Sequence, residues 1–181
     1  MGALQEILIF LVSSLFGLYI LAVILRFVLA LARADFYNPI SQVIVTVTNP
    51  PLRLLRRIIP SIGRIDTAAV VLVLALKLIE LSIISLLIGS GIALLPLLLI
   101  AIRQILTLLV WVYIVTLIVE AIMSWFGPSM AHNPLAGLLR GINRPLLAPI
   151  RRVLPPLGMI DLSPLIAILG LNILLILLRA L

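Results

Sequence analysis

The chain has no cysteine. That excludes disulfides, thiolate metal sites, cysteine nucleophiles, lipoprotein anchoring and c-type haem attachment. It has one histidine, His132. A bis-histidine haem or a histidine-based metal cluster therefore cannot form within one chain. Charge is scarce: 10% of the 181 residues are Asp, Glu, Lys or Arg, against about 25% in soluble domains. Aromatic residues are 6%, and the basic stretches hold almost none on which bases could stack. The formal charge of +7 is thus no sign of a nucleic-acid groove. No serine elbow, P-loop or paired-carboxylate motif occurs, and Gly89-Ser90-Gly91 leads into apolar residues as a turn. A non-enzymatic protein without metal or cofactor is expected.

What is abundant is apolar. Such residues make up 64% of the chain, too many for the polar surface of a water-exposed globule. Runs of about 20 apolar residues cross a bilayer as helices. Four fit: roughly Ile7 to Leu31, Thr67 to Ile88, Leu97 to Phe126 and Leu162 to Leu178. The start, Met1-Gly2-Ala3-Leu4-Gln5-Glu6, lacks a basic n-region and leads into a long run. It reads as a retained span, not a cleaved signal. The expected fold is an all-α membrane protein with four transmembrane helices.

Nine of the thirteen basic residues fall in two stretches. The first holds Arg33, Arg53, Arg56, Arg57 and Arg64; the second holds Arg140, Arg144, Arg151 and Arg152. The link between the second and third spans has none before Arg103. By the positive-inside tendency both basic loops face the cytoplasm and both termini the opposite side.

The two stretches also repeat. Residues Asn38 to Asp66 align with Asn133 to Asp161 without a gap, 95 positions apart, and ten of 29 positions are identical. Chance in ordinary compositions gives about two. The matches are Asn38/Asn133, Pro39/Pro134, Pro50/Pro145, Leu52/Leu147, Arg56/Arg151, Arg57/Arg152, Pro60/Pro155, Gly63/Gly158, Ile65/Ile160 and Asp66/Asp161. The reading is one membrane domain of two duplicated halves, residues 1–88 with basic loop 32–66 and residues 97–181 with basic loop 127–161. Each half has two spans, an even number, so both insert the same way round as parallel repeats.

Within each loop, Asn then Pro is a helix start: Asn38 and Asn133 cap, and Pro fits the first position. Ile40, Val43, Ile44 and Val47 then form an apolar stripe, as do Leu135, Leu138, Leu139 and Ile142. Pro50 and Pro145 are expected to interrupt the helix. A second short helix ends in the arginine pairs, Pro60 and Pro155 stop it, and Gly63 and Gly158 turn the chain. Asp66 and Asp161 sit where the next span needs an N-cap. An amphipathic, broken helix in the interface fits this pattern. A re-entrant hairpin is the other option, disfavoured because arginine at its tip enters the membrane at high cost.

Candidate sites each carry two readings. Arg53, Arg56, Arg57, Arg140, Arg144, Arg151 and Arg152 bind anionic lipid head groups or an acidic partner, or they only enforce topology. Asp66 and Asp161 are helix caps in preference to proton or cation sites. Lys77 lies about 15 Å into its span, near the midplane, three residues from Glu80. The equivalent of Lys77 is Asn172 and that of Glu80 is Leu175. Charge at that depth is a functional hypothesis, although a helix-packing pair is the preferred reading. Arg26 and Glu120 hold matching places in the first and third spans, and a salt bridge between them is expected. His132 is read as a loop residue.

The arrangement Asn-Pro, then Pro, Arg-Arg, Pro and Gly-x-Ile-Asp, resembles the YggT (YlmG) family. Here it reads "NPPLRLLRRIIPSIGRID" and "NRPLLAPIRRVLPPLGMID". Ser124-Trp125-Phe126 is similar to the family's "SWF" element, from which the first copy departs with Ala30-Leu31-Ala32. The resemblance implies a small bacterial inner-membrane protein with plastid relatives. It associates the chain with osmotic or ionic stress, with envelope and division organisation, and with assembly factors in plastids. The expected function is a non-enzymatic accessory: a subunit or assembly factor of a larger membrane complex. A small ion or solute channel using Lys77, Glu80 and Asn172 is the alternative.

Overall fold

A computed structural model describes residues 2–63, 65–91, 93–125, 133–154 and 161–180, with the backbone alone of Trp125. Arg64, Phe126, His132, Pro155, Gly158 and Ile160 lie outside these residues.

Among the described residues the chain is helical: α1 (Ala3–Leu31), α2 (Pro39–Leu55), α3 (Thr67–Ile88), α4 (Leu94–Trp125), α5 (Pro134–Val153) and α6 (Ser163–Ala180). Four of these, α1, α3, α4 and α6, are long and apolar enough to cross a membrane. At about 1.5 Å per residue, even the 18 residues of α6 cover most of a hydrocarbon core of about 30 Å. Their outer faces are apolar. Phe10, Leu15 and Leu18 of α1 are each 68% exposed, and Leu86 of α3 is 81% exposed. Such faces are untenable in water and fit a multi-pass membrane protein.

Helix ends follow local chemistry. Asn133 at the start of α5 accepts the Leu135 N–H at 2.9 Å, with Pro134 in the first turn. Asn38 accepts from Ile40 at 3.0 Å in the same way. Gly89 closes α3 at φ +72°, where any side chain is strained. Gly63 likewise adopts a positive φ of +61°, inside a tight turn in which Ile62 and Ile65 exchange backbone hydrogen bonds.

One expectation about the loop helices is corrected. Pro50 and Pro51 lie inside a continuous α2, and Pro145 and Pro149 inside a continuous α5. A proline removes one donor, and a helix tolerates this where the freed carbonyl finds another partner. The Val47 carbonyl, deprived of the N–H that Pro51 lacks, faces the Tyr19 hydroxyl at 3.4 Å. The apolar stripes also differ between copies. Leu138, Leu139 and Ile142 of α5 are buried, whereas Ile40, Val43 and Val47 of α2 are exposed. In α2 it is Ser41, Thr48 and Leu52 that are fully buried.

The residues fall into two compact units. Met1–Phe27 with Ile44–Leu106 form one, and Val28–Val43 with Thr107–Leu181 the other. In the first, Ile20, Val23 and Ile24 of α1, Leu52 of α2 and Ala68, Ala69 and Val73 of α3 are buried. In the second, Leu117 of α4, Leu147 of α5 and Ala167 of α6 pack as one cluster. Val110 and Ile114 of α4 pack with Leu175 and Leu178 of α6 as another.

Leu117 has no exposed surface, whereas Leu15 is largely exposed. Leu117→Ala is expected to destabilise the protein by about 2–3 kcal/mol through the cavity it leaves. Leu15→Ala is expected to stay within about 0.5 kcal/mol. Denaturation by titrated SDS in mixed micelles measures both, and equal costs contradict this packing.

Candidate functional site

The first constellation lies in the first unit. Arg26 stands about 8 Å from the end of α1 and is 6% exposed. A guanidinium carries five donors and no acceptor, so its burial requires oxygen partners. They come from one stretch of α2. One terminal nitrogen donates to the Val45 carbonyl and to Thr48 Oγ1, each at 3.0 Å. The other donates to Asn49 Oδ1 at 3.1 Å. The Thr48 hydroxyl donates in turn to the Ile44 carbonyl at 2.6 Å, which turns its lone pairs toward the arginine. This is a back-bonded threonine of the kind that bends helices.

The second constellation lies in the second unit and has matching geometry with different chemistry. Asn143 of α5 is fully buried. It donates from Nδ2 to Glu120 at 2.7 Å and accepts from the Thr116 hydroxyl at 2.9 Å. Asn143 is the position equivalent to Thr48, 95 residues on. Each charged residue near the end of a long helix is therefore held by the same position of its own copy's loop helix. Arg26 donates to α2, and Glu120 accepts from α5. The match between the two copies is also visible in the spacing. Arg26 precedes Thr48 by 22 residues and Glu120 precedes Asn143 by 23, a difference equal to the single-residue indel.

Lys77 and Glu80 do meet, with Nζ donating to Oε2 at 2.8 Å. Their side chains are 14% and 6% exposed. Asn172 shows no such pairing. It is exposed on α6 and donates one N–H back to the Ile168 carbonyl at 2.8 Å.

Two more candidate sets prove to be a single device. Arg56 holds Asp66 through an ion pair and an Nε–Oδ1 contact of 3.5 Å. Arg151 holds Asp161 at 2.8 Å, with Nε donating at 3.0 Å. In each copy the first arginine of the pair clamps the aspartate ten residues on. Asp66 also caps α3 by accepting from Ala69, and Asp161 accepts the Ser163 N–H at 2.9 Å as α6 begins. Partial burial alone would raise the Asp161 carboxyl. Hydrogen bonds from Ser163 and the bond and charge of Arg151 outweigh it and hold the group below its ordinary value of 3.8. Arg53, Arg57, Arg140, Arg144 and Arg152 are exposed. Where the two loops start, Asn38 Nδ2 donates to the Pro134 carbonyl at 2.7 Å. Among the described residues no group of three His, Asp or Glu side chains is placed to hold a metal ion.

Two outcomes test these contacts. Asn143→Leu leaves the Glu120 carboxyl without its donor and is expected to cost about 1–3 kcal/mol. The double variant with Glu120→Leu should cost at least about 1 kcal/mol less than the sum of the two singles; additivity would refute the link. Because the Asp161 carboxyl is held low, the stability it contributes is complete above the ordinary carboxylate range. It is lost as pH falls through the lowered value. Melting of the wild type against Asp161→Asn in detergent should therefore differ at pH 7, and the difference should shrink only as pH falls below the ordinary carboxylate value of 3.8.

Similarity to known proteins runs along the same architecture. The profile of the CCB3/YggT family matches twice, over residues 5–87 and 99–181. An uncharacterised protein of Pseudomonas aeruginosa is 43% identical over 167 residues, covering 91% of this chain and 84% of its own. One from Vibrio alginolyticus is 41% identical over 173 residues, 90% and 88% of the two chains. The uncharacterised YggT of Escherichia coli K12 is 39% identical over 165 residues, 88% and 82%. No solved structure matches. With both halves of the chain matched and relatives aligned over most of their length, this protein belongs to the CCB3/YggT family.

Proposed function

We propose that this protein is a non-enzymatic accessory of the inner membrane: a subunit or assembly and stability factor of a larger membrane complex. The observation that carries the reading is where its intramembrane charges go. Arg26, Lys77, Glu80 and Glu120 each hydrogen-bond within the chain. Such groups fix helix geometry; a conduction path needs polar groups turned toward water. The spans, by contrast, leave broad apolar faces. In the second unit an apolar groove of about 330 Å³ is lined by residues that include Leu109, Tyr113, Leu146 and Leu174. Docking through such faces fits an accessory.

The arginines that do not clamp an aspartate give this reading its second contact. Arg53, Arg57, Arg140, Arg144 and Arg152 would lie at the cytoplasmic surface, both loops facing that side by the positive-inside tendency. Each such residue near an anionic leaflet contributes about 1 kcal/mol, so lipid head groups or an acidic partner suit them.

Purification in native nanodiscs, with co-purifying proteins identified by mass spectrometry, tests the proposal. A stoichiometric membrane partner is expected. A partner-free protein whose liposomes pass ions, with the flux abolished by Lys77→Leu, would overturn it in favour of a channel.

A further inference from the structure

The internal repeat supplies its own control for one residue. Lys77 in α3 and Asn172 in α6 occupy equivalent positions, 95 apart. In the first copy the polar group is satisfied inside the chain, since Lys77 is largely buried and paired with Glu80. In the second copy the partner position is Leu175, which is buried, while Asn172 faces outward. Its carboxamide has two N–H donors and an acceptor oxygen. One N–H reaches the Ile168 carbonyl, and the residue is exposed, with its oxygen and second N–H still to be satisfied.

Asn172 is the tenth of the eighteen residues of α6, about 14 Å from the helix start and near the middle of a hydrocarbon core of about 30 Å. There is no water at that depth to complete its hydrogen bonds. The residues around it are spaced for a helix partner. Leu162, Leu165, Leu169, Asn172 and Ile176 follow at intervals of three, four, three and four, and all are exposed. That is the spacing a seam between two packed helices requires, and one polar residue within such a seam sets its register.

We propose that α6 is a self-association surface and that its occupant is α6 of a second copy of this chain. Copies inserted in the same orientation are related by a twofold axis along the membrane normal. In such an interface a residue lying on the axis meets its own counterpart. A carboxamide is donor and acceptor in one flat group, so it complements itself across that axis. A lone lysine or carboxylate does not. The apolar seam residues stack above and below the Asn172 pair.

The test uses the full chain, purified and reconstituted in phosphatidylethanolamine–phosphatidylglycerol vesicles. Tyr37→Cys, on a background with no other cysteine, carries donor or acceptor dye. Energy transfer above the random-collision level is expected across protein-to-lipid ratios. Asn172→Leu is expected to weaken the association about three- to tenfold, the range for an interhelical polar contact in lipid. In a second experiment without that variant, Leu169→Cys and Ile176→Cys should each form disulfide-linked dimers. Ile79→Cys, similarly exposed on α3, should not. Transfer at the random level, transfer indifferent to Asn172→Leu, or cross-linking as strong from Ile79→Cys would overturn the proposal. A chain that is monomeric alone overturns it as well, even where a different protein covers this face in native membranes.

Discussion

A polar group inside hydrocarbon has no water to turn to, so each buried donor or acceptor must find its partner in the protein. The loop helices meet this demand for the long helices. Arg26 brings a guanidinium into an apolar helix, and three oxygens of α2 converge on it. They include a backbone carbonyl and a threonine whose own proton is directed elsewhere. Prolines within α2 and α5 remove helix donors and so create further demand. The Tyr19 hydroxyl facing Val47 is one answer to it.

Duplication explains why the answer comes twice and diverges. The same contact, between a residue near the end of a long helix and one on the following loop helix, occurs as Arg26–Thr48 and Glu120–Asn143. The geometry is shared while the charge is opposite. That is feasible because Thr accepts from Arg, whereas the Asn amide donates to Glu. The loop clamps have gone the other way, with the same Arg-to-Asp pairing in both copies. Contacts at the loop ends have held their chemistry, and contacts deeper in the helices have been rewritten.

The sequence made the coarse architecture legible, because span length is set by bilayer thickness and the apolar runs have few interpretations. Asn38, Asn133 and Asp66 were readable as caps for the same local reason. Continuity of α2 through Pro50 was not readable, since tolerance of proline depends on a partner from elsewhere in the fold. Nor was the face that α2 buries. Ser41 and Thr48 lie inside where patterning for water points to the valines, and in lipid the apolar side has no reason to hide. Arg26 and Glu120 were recognisable as a matched set, but their partners on α2 and α5 were not, because a repeat reveals kinship between positions and not which side chains they touch. Arg-Arg and Asp were read as separate features because their link spans a turn.

That link also has a mechanical side. A turn normally absorbs movement: a helix on one side of it can shift while the next stays still. The Arg56–Asp66 clamp bridges the turn between the end of α2 and the base of α3, and Arg151–Asp161 ties α5 to the foot of α6. Each loop helix is thereby coupled to the following span by a side-chain link as well as by the chain itself.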